Sequence, residues 1–171
     1  MTNAIKYIAG GYLFLHLNIN LGTLNLLPGW AGYLLIYRAL EPLGEEQPSA
    51  RLLKPLAILL GVWEGLQWLL TLLNVQAEFW ILELIAGAIG LYFHFQLLTD
   101  LAAVAEQHGW AEHTKLLHLR TAQTLLSTFL LLPLPWEEFE ALTVAVLLIH
   151  AAVLIWITAV LFGLKRFIQE E

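Results

Sequence analysis

Hydrophobic and polar positions divide the chain into long apolar runs separated by short polar breaks, and the runs set the elements. Four of them predict membrane-spanning helices: Lys54–Leu73, Phe79–Ala103, Leu116–Leu132 and Ala141–Leu164. Each approaches the roughly 20 apolar residues that a helix needs to cross a bilayer. The opening stretch, Ile5–Leu40, reads differently. It holds two hydrophobic segments of about thirteen residues, parted by Asn18-Ile19-Asn20-Leu21-Gly22-Thr23-Leu24-Asn25-Leu26-Leu27-Pro28-Gly29. Polar, breaker-rich backbone at membrane depth survives only where protein or water satisfies it, and interrupted segments of this kind point to binding sites in transporter-like folds. The expected fold is an all-α integral membrane protein. Four full transmembrane helices form a bundle, joined by an N-terminal pair of short helices over 5–40 that either spans or re-enters.

Composition agrees with that pattern. The chain has 171 residues, 59% of them hydrophobic and 13% charged, with mean hydropathy +0.71. Soluble domains average about 45–50% apolar and about 25% charged. Short loops leave no room for a separate extramembrane fold, so 1–171 is expected to be a single transmembrane domain. Residues 7–17 have the length of a signal-peptide core, but no small-residue cleavage site follows, and they are read as retained. There is no cysteine, so disulfides, thiol catalysis and thiolate metal sites are excluded. No basic cluster suggests nucleic acid or an anionic-lipid patch; the lipid bilayer is the expected partner, with a homo-oligomer or larger membrane assembly to enclose more cavity.

The formal charge of −6 says little about topology, which follows the positions of Lys and Arg. Arg38, Arg51 and Lys54 flank the loop at 41–53, Lys115 and Arg120 the loop at 104–115, and Lys165 and Arg166 close the last helix. Loops 74–78 and 133–140 carry no basic residue, and the second carries Glu137, Glu138 and Glu140. Both termini are therefore expected in the cytoplasm. The alternative, one helix over about 5–27 followed by an interfacial helix at 30–41, places Lys6 outside. Trp30, Trp80 and Trp136 fall at expected outer ends and Trp110 in a cytoplasmic loop, as interfacial belts do.

Polar residues inside the spans are the candidates for chemistry. Glu64, His94 and His150 fall near one depth, as do Thr124, Ser127 and Thr128. An ionisable group at the bilayer centre costs roughly 2.5–3.5 kcal/mol on insertion scales, so a Glu–His–His set would pair internally and serve proton relay, a divalent metal or an organic cation. The plainer reading of a single membrane His is a hydrogen bond to a neighbouring helix. Glu83, Gly87, Gly90 and His94 share one helix face, which fits either a cavity wall or tight helix packing. Thr121, Thr124 and Thr128 form a hydroxylated face whose simplest role is to bond its own helix carbonyls. Asn18, Asn20 and Asn25 would give the hairpin a neutral amide surface, or merely turn the chain. His108, His113 and His118 are spaced by five, do not share a helix face, and read as surface loop. Neither the lipase, zinc-protease nor phosphate-loop signature occurs; Ser127 has a candidate histidine near it but no motif around it.

The stretch Asn18-Ile19-Asn20-Leu21-Gly22 leading to Leu26-Leu27-Pro28-Gly29-Trp30-Ala31-Gly32-Tyr33-Leu34-Leu35 resembles small polytopic membrane proteins of Gram-positive bacteria, in which an N-I-N-like element precedes a P-x-x-x-G-Y-like helix start. The resemblance covers about the first forty residues. It implies a bacterial plasma-membrane (inner-membrane) location and nothing about chemistry. The leading expectation is a transporter or channel for a small polar solute or ion, with Glu64, His94 and His150 at its centre, Glu83, Asn18, Asn20 and Asn25 along the pathway, and no cofactor. The alternatives are a non-catalytic accessory or regulatory subunit, and a membrane-embedded enzyme acting on lipid.

Overall fold

In the computed structural model, residues 1–16, 20–21, 24–25, 27–75, 79–134 and 136–170 are described. Among them the chain forms six α-helices: α1 (Thr2–His16), α2 (Gly29–Glu46), α3 (Leu53–Leu72), α4 (Trp80–Gln107), α5 (His113–Leu131) and α6 (Glu140–Glu170). Short 3₁₀ turns at Pro48–Leu52 and Trp136–Phe139 lead into α3 and α6. Between α1 and α2, β1 (Asn20–Leu21) and β2 (Leu24–Asn25) pair antiparallel, Asn20 opposite Asn25.

Among the described residues, three helical stretches are long and apolar enough to cross a membrane: Pro48–Leu72, Trp80–Gln107 and Glu140–Glu170. This makes the chain a membrane protein. α5 is a single helix as the sequence led one to expect, but it is not among the three; its first half carries His113, Lys115, His118 and Arg120. α1, with 15 residues, is about 22 Å long, short of the roughly 30 Å hydrocarbon layer. α2 outruns its expected end at residue 40, continuing through Pro42 to Glu46. Proline removes one ladder bond there, and the burial of Leu43 and Gly44 keeps the last turn in place.

Helix ends are closed by backbone. After α3, Val75 N–H donates to Leu70 O at 2.9 Å and Asn74 N–H to Thr71 O at 3.1 Å, with Asn74 left-handed at φ 54°. After α4, Trp110 N–H donates to Ala105 O at 2.8 Å and Gly109 N–H to Glu106 O at 2.9 Å, with Gly109 at φ 71°. Both are Schellman stops, with asparagine and glycine in the position that tolerates positive φ. The second one turns Trp110 inward: it is buried and packs over Gly163 of α6, so it takes no place in an interfacial belt.

Consecutive helices pack from α1 to α6, and α6 packs back on α1, closing a ring. The dense core lies at the end carrying Arg51, Lys54, Lys115 and Lys165, where Ile5, Leu40, Leu53, Leu101, Leu116 and Leu164 are fully buried. Toward the other end α3, α4 and α6 present apolar side chains outward; Val62 and Trp80 are each 67% exposed. Water would oppose such a surface, whereas lipid accepts it.

The tightest crossing joins α1 to α2. A Cβ placed on Gly32 would lie 2.8 Å from Gly11 O, and one on Gly11 would lie 2.8 Å from Gly32 O. Backbone, unlike a side-chain tip, has nowhere to go. Gly32→Val is therefore expected to lower stability by about 1–3 kcal/mol through overpacking, read as a fall in thermal unfolding temperature of the detergent-solubilised protein. Gly10→Val, whose Cβ meets nothing nearer than Leu35 Cδ1 at 3.7 Å, should leave it nearly unchanged.

Candidate functional site

The glycine crossing sets the depth at which the last turn of α1 enters the ring. Tyr12 and His16, four residues apart on one helix face, meet His94 of α4, with ring centroids 5.4 and 6.0 Å away respectively. The Tyr12 hydroxyl and His94 Nδ1 are hydrogen-bonded at 3.2 Å, the donor set by the imidazole tautomer. Tyr33 of α2 and Phe93 close the cluster, with centroids 6.2 and 5.3 Å from His94. Tyr12 and Phe93 are completely buried.

Two cavities flank this cluster. The first, about 290 Å³, lies between α4, α5 and α6; its polar wall is His94, Gln123, Thr124, Ser127 and His150, and its remaining wall is Gly87, Gly90 and leucines. Ser127 Oγ and His150 Nε2 are 3.1 Å apart. Gln123 is buried, with its Oε1 unpartnered among the described groups. The second, about 540 Å³, runs between α1 and α6 and touches Tyr12, His16, His150 and Thr158 among apolar side chains. His150 borders both.

The structure thus brings His94 and His150 to one cavity, as their matched depth implied. Glu64 lines neither cavity. Its carboxylate abuts the start of α2, where a Cβ on Gly29 would come within 2.5 Å of Glu64 Oε2. A helix start gathers unpaired N–H groups and the positive end of the dipole, so an acidic side chain is electrostatically favoured there. Glu83 sits in the exposed first turn of α4 and accepts from Gln67 Nε2 at 3.4 Å. Asn18 lies outside the described residues, as do the side chains of Asn20 and Asn25, whose backbones form the ladder. His108 meets Glu46 at 3.1 Å and His113 Nδ1 meets Trp110 O at 3.0 Å, which separates the loop histidines. Among the described residues no three His, Asp or Glu side chains converge to hold a metal.

Tyr12, Gln123 and Asp100 stand at or beside the site without having been singled out by the sequence pattern. The first two carried a usable signal: Tyr12 is four residues before His16, and Gln123 shares a face with Arg120, Thr124 and Ser127. Asp100 is 3% exposed and its Oδ1 accepts from Ser49 Oγ at 2.7 Å and Gln96 Nε2 at 2.8 Å, while Oδ2 is buried without a partner among the described groups. Gln96 was visible four residues back, but nothing in sequence ties Ser49 to it. This contact pins the 3₁₀ turn before α3 to α4. Arg120, one layer deeper, lies 4.4 Å over the Phe95 ring and donates to Thr99 Oγ1 at 3.0 Å. Ser49→Ala strips a donor from a buried carboxyl and should cost about 1–3 kcal/mol; thermal unfolding in detergent measures it, with the exposed Thr114→Ala as an unshifted control.

No protein-family model matches the chain, and no curated protein or solved structure is similar to it.

Proposed function

We propose that the chain is a multi-pass protein of a bacterial plasma membrane, with α3, α4, α5 and α6 as full spans, the α1–α2 hairpin packed against them, and both termini cytoplasmic. In this reading it takes up and moves a small uncharged polar solute through the cavity between α4, α5 and α6, alone or within a larger membrane assembly. One observation carries the reading: the cavity's polar wall consists of His94, Gln123, Thr124, Ser127 and His150, with no Asp, Glu, Lys or Arg among its described lining. Neutral imidazole, amide and hydroxyl groups exchange hydrogen bonds with a neutral solute and give an ion no counter-charge. Three helices contribute to this wall, with His94 near the middle of α4, His150 in the first half of α6 and Ser127 one turn before the end of α5. Arg120, on the same α5 face, stands between the cavity and the basic end, where it is held by Thr99 and Phe95.

A packing role is the second reading, and a specific observation favours it. The Tyr12–His94 and Ser127–His150 bonds bridge α1 to α4 and α5 to α6, as polar side chains do in bundles that merely hold together.

Gly90 separates the two readings. A Cβ there meets nothing within 4 Å, so Gly90→Leu extends into open space at the cavity wall and should leave unfolding temperature and expression near wild type. Solute passage is expected to fall to the level of protein-free liposomes. Stopped-flow light scattering of proteoliposomes challenged with glycerol, urea and erythritol reads it. Wild-type vesicles no more permeable than empty ones to any of the three would overturn passage and leave the packing role. Topology is tested on the cysteine-free chain: single cysteines at Val75 and Glu112, both exposed, should react with an impermeant maleimide from opposite faces of the membrane, Val75 from outside.

A further inference from the structure

Membrane-helix hydroxyls ordinarily bond a carbonyl one turn back on their own helix. Thr71, Thr99, Thr121, Thr124, Thr143 and Thr158 all do so, at 2.7–3.1 Å. Ser127 does not. Its hydroxyl faces His150 Nε2 across the α5–α6 interface at 3.1 Å, and both side chains border the 290 Å³ cavity. A serine freed from its own helix, within hydrogen-bond reach of an imidazole and open to a cavity, has the arrangement of an activated nucleophile.

We propose that Ser127 and His150 form a nucleophile–base pair that cleaves the acyl ester of a membrane-soluble amphiphile. The pair sits in a cavity whose apolar wall is Leu91, Leu130 and Leu131 with Gly87 and Gly90, inside helices whose outer faces are apolar. An acyl chain suits those walls. Ser127 Oγ adds to the ester carbonyl carbon while its proton passes to His150 Nε2. The tetrahedral adduct collapses, the bond to the alcohol oxygen breaks, and His150 returns the proton to the departing oxygen, leaving an acyl-serine and a free alcohol. Water then adds to the acyl carbon, giving its proton to Nε2. The acyl–Oγ bond breaks, Ser127 regains the proton, and a fatty acid leaves. The amide of Gln123, one turn before Ser127 on the same face and on the cavity wall, is the neutral donor placed to serve the oxyanion.

This activity stands on its own observation, and its test is separate from solute passage. The full chain in detergent micelles is treated with a fluorophosphonate probe and, in parallel, with 4-methylumbelliferyl oleate. Labelling mapped to Ser127 by peptide mass spectrometry is expected, together with ester hydrolysis that Ser127→Ala abolishes. His150→Gln should lower both by at least about 100-fold, the range of a general base, with the unfolding temperature recorded for each variant. Absence of Ser127 labelling in the folded wild type, hydrolysis equal to that of Ser127→Ala, or labelling unchanged in folded His150→Gln each overturns the proposal. Labelled protein whose liposomes pass no solute would uphold the pair and remove the transport reading.

Discussion

Hydrocarbon offers no hydrogen bonds, so a polar group left unpaired inside the span is costly, and most of the local choices in this chain answer that constraint. Thr71, Thr99, Thr121, Thr124, Thr143 and Thr158 return their hydroxyls to carbonyls of their own helices. Where α3 and α4 stop, Schellman bonds take up carbonyls that would otherwise be bare. Between α1 and α2 the backbones of Asn20–Leu21 and Leu24–Asn25 pair with each other. Tyr12 and His94 answer each other across the ring.

Closing the ring requires a narrow hairpin, and Gly11 with Gly32 supplies it. Because the helix axes approach until each glycine faces the other's carbonyl, α1 sits deep enough for Tyr12 to reach α4. A larger residue at either position would push α1 outward and separate Tyr12 from His94 with it. Local backbone geometry and the central cluster are therefore one problem, and the same crossing explains why a helix of 15 residues belongs to the bundle at all: it is held by contact with α2 and α6, since its length alone does not match the bilayer.

Helices and their approximate limits were legible because apolar runs, Pro28-Gly29 and the polar loops are local signals. The shared depth of His94 and His150 was legible too, since depth follows from counting residues along helices of fixed rise. Azimuth was not. Glu64 matches that depth but lies against Gly29, and only the packing of α3 on α2 decides which way it turns. Asp100 was hidden for a related reason: its principal donor, Ser49, is 51 residues away, on a turn that reads as loop. Ser127 carried a plain sequence signal as a membrane hydroxyl, yet its difference from Thr124 three residues earlier exists only in three dimensions, where one bonds Arg120 O and the other meets His150.

The distribution of charge along the ring follows from the cost of burying it. Formal charges with visible partners gather at the basic end, Lys54 with Glu41 and Lys115 with Glu112, and His108 meets Glu46 there at 3.1 Å. Asp100 and Arg120 extend this zone inward, each held by neutral donors or acceptors and, for Arg120, an aromatic face. Beyond them the first cavity is lined by imidazole, amide and hydroxyl groups, with no Asp, Glu, Lys or Arg among its described lining. A fixed charge at that depth would demand an equally deep counter-charge, and each adds roughly 2.5–3.5 kcal/mol of insertion cost. Imidazole avoids the demand because it donates and accepts while uncharged. That property favours histidine at the centre of a bundle this small, and the proposed solute passage and the proposed base role of His150 both start from the neutral ring.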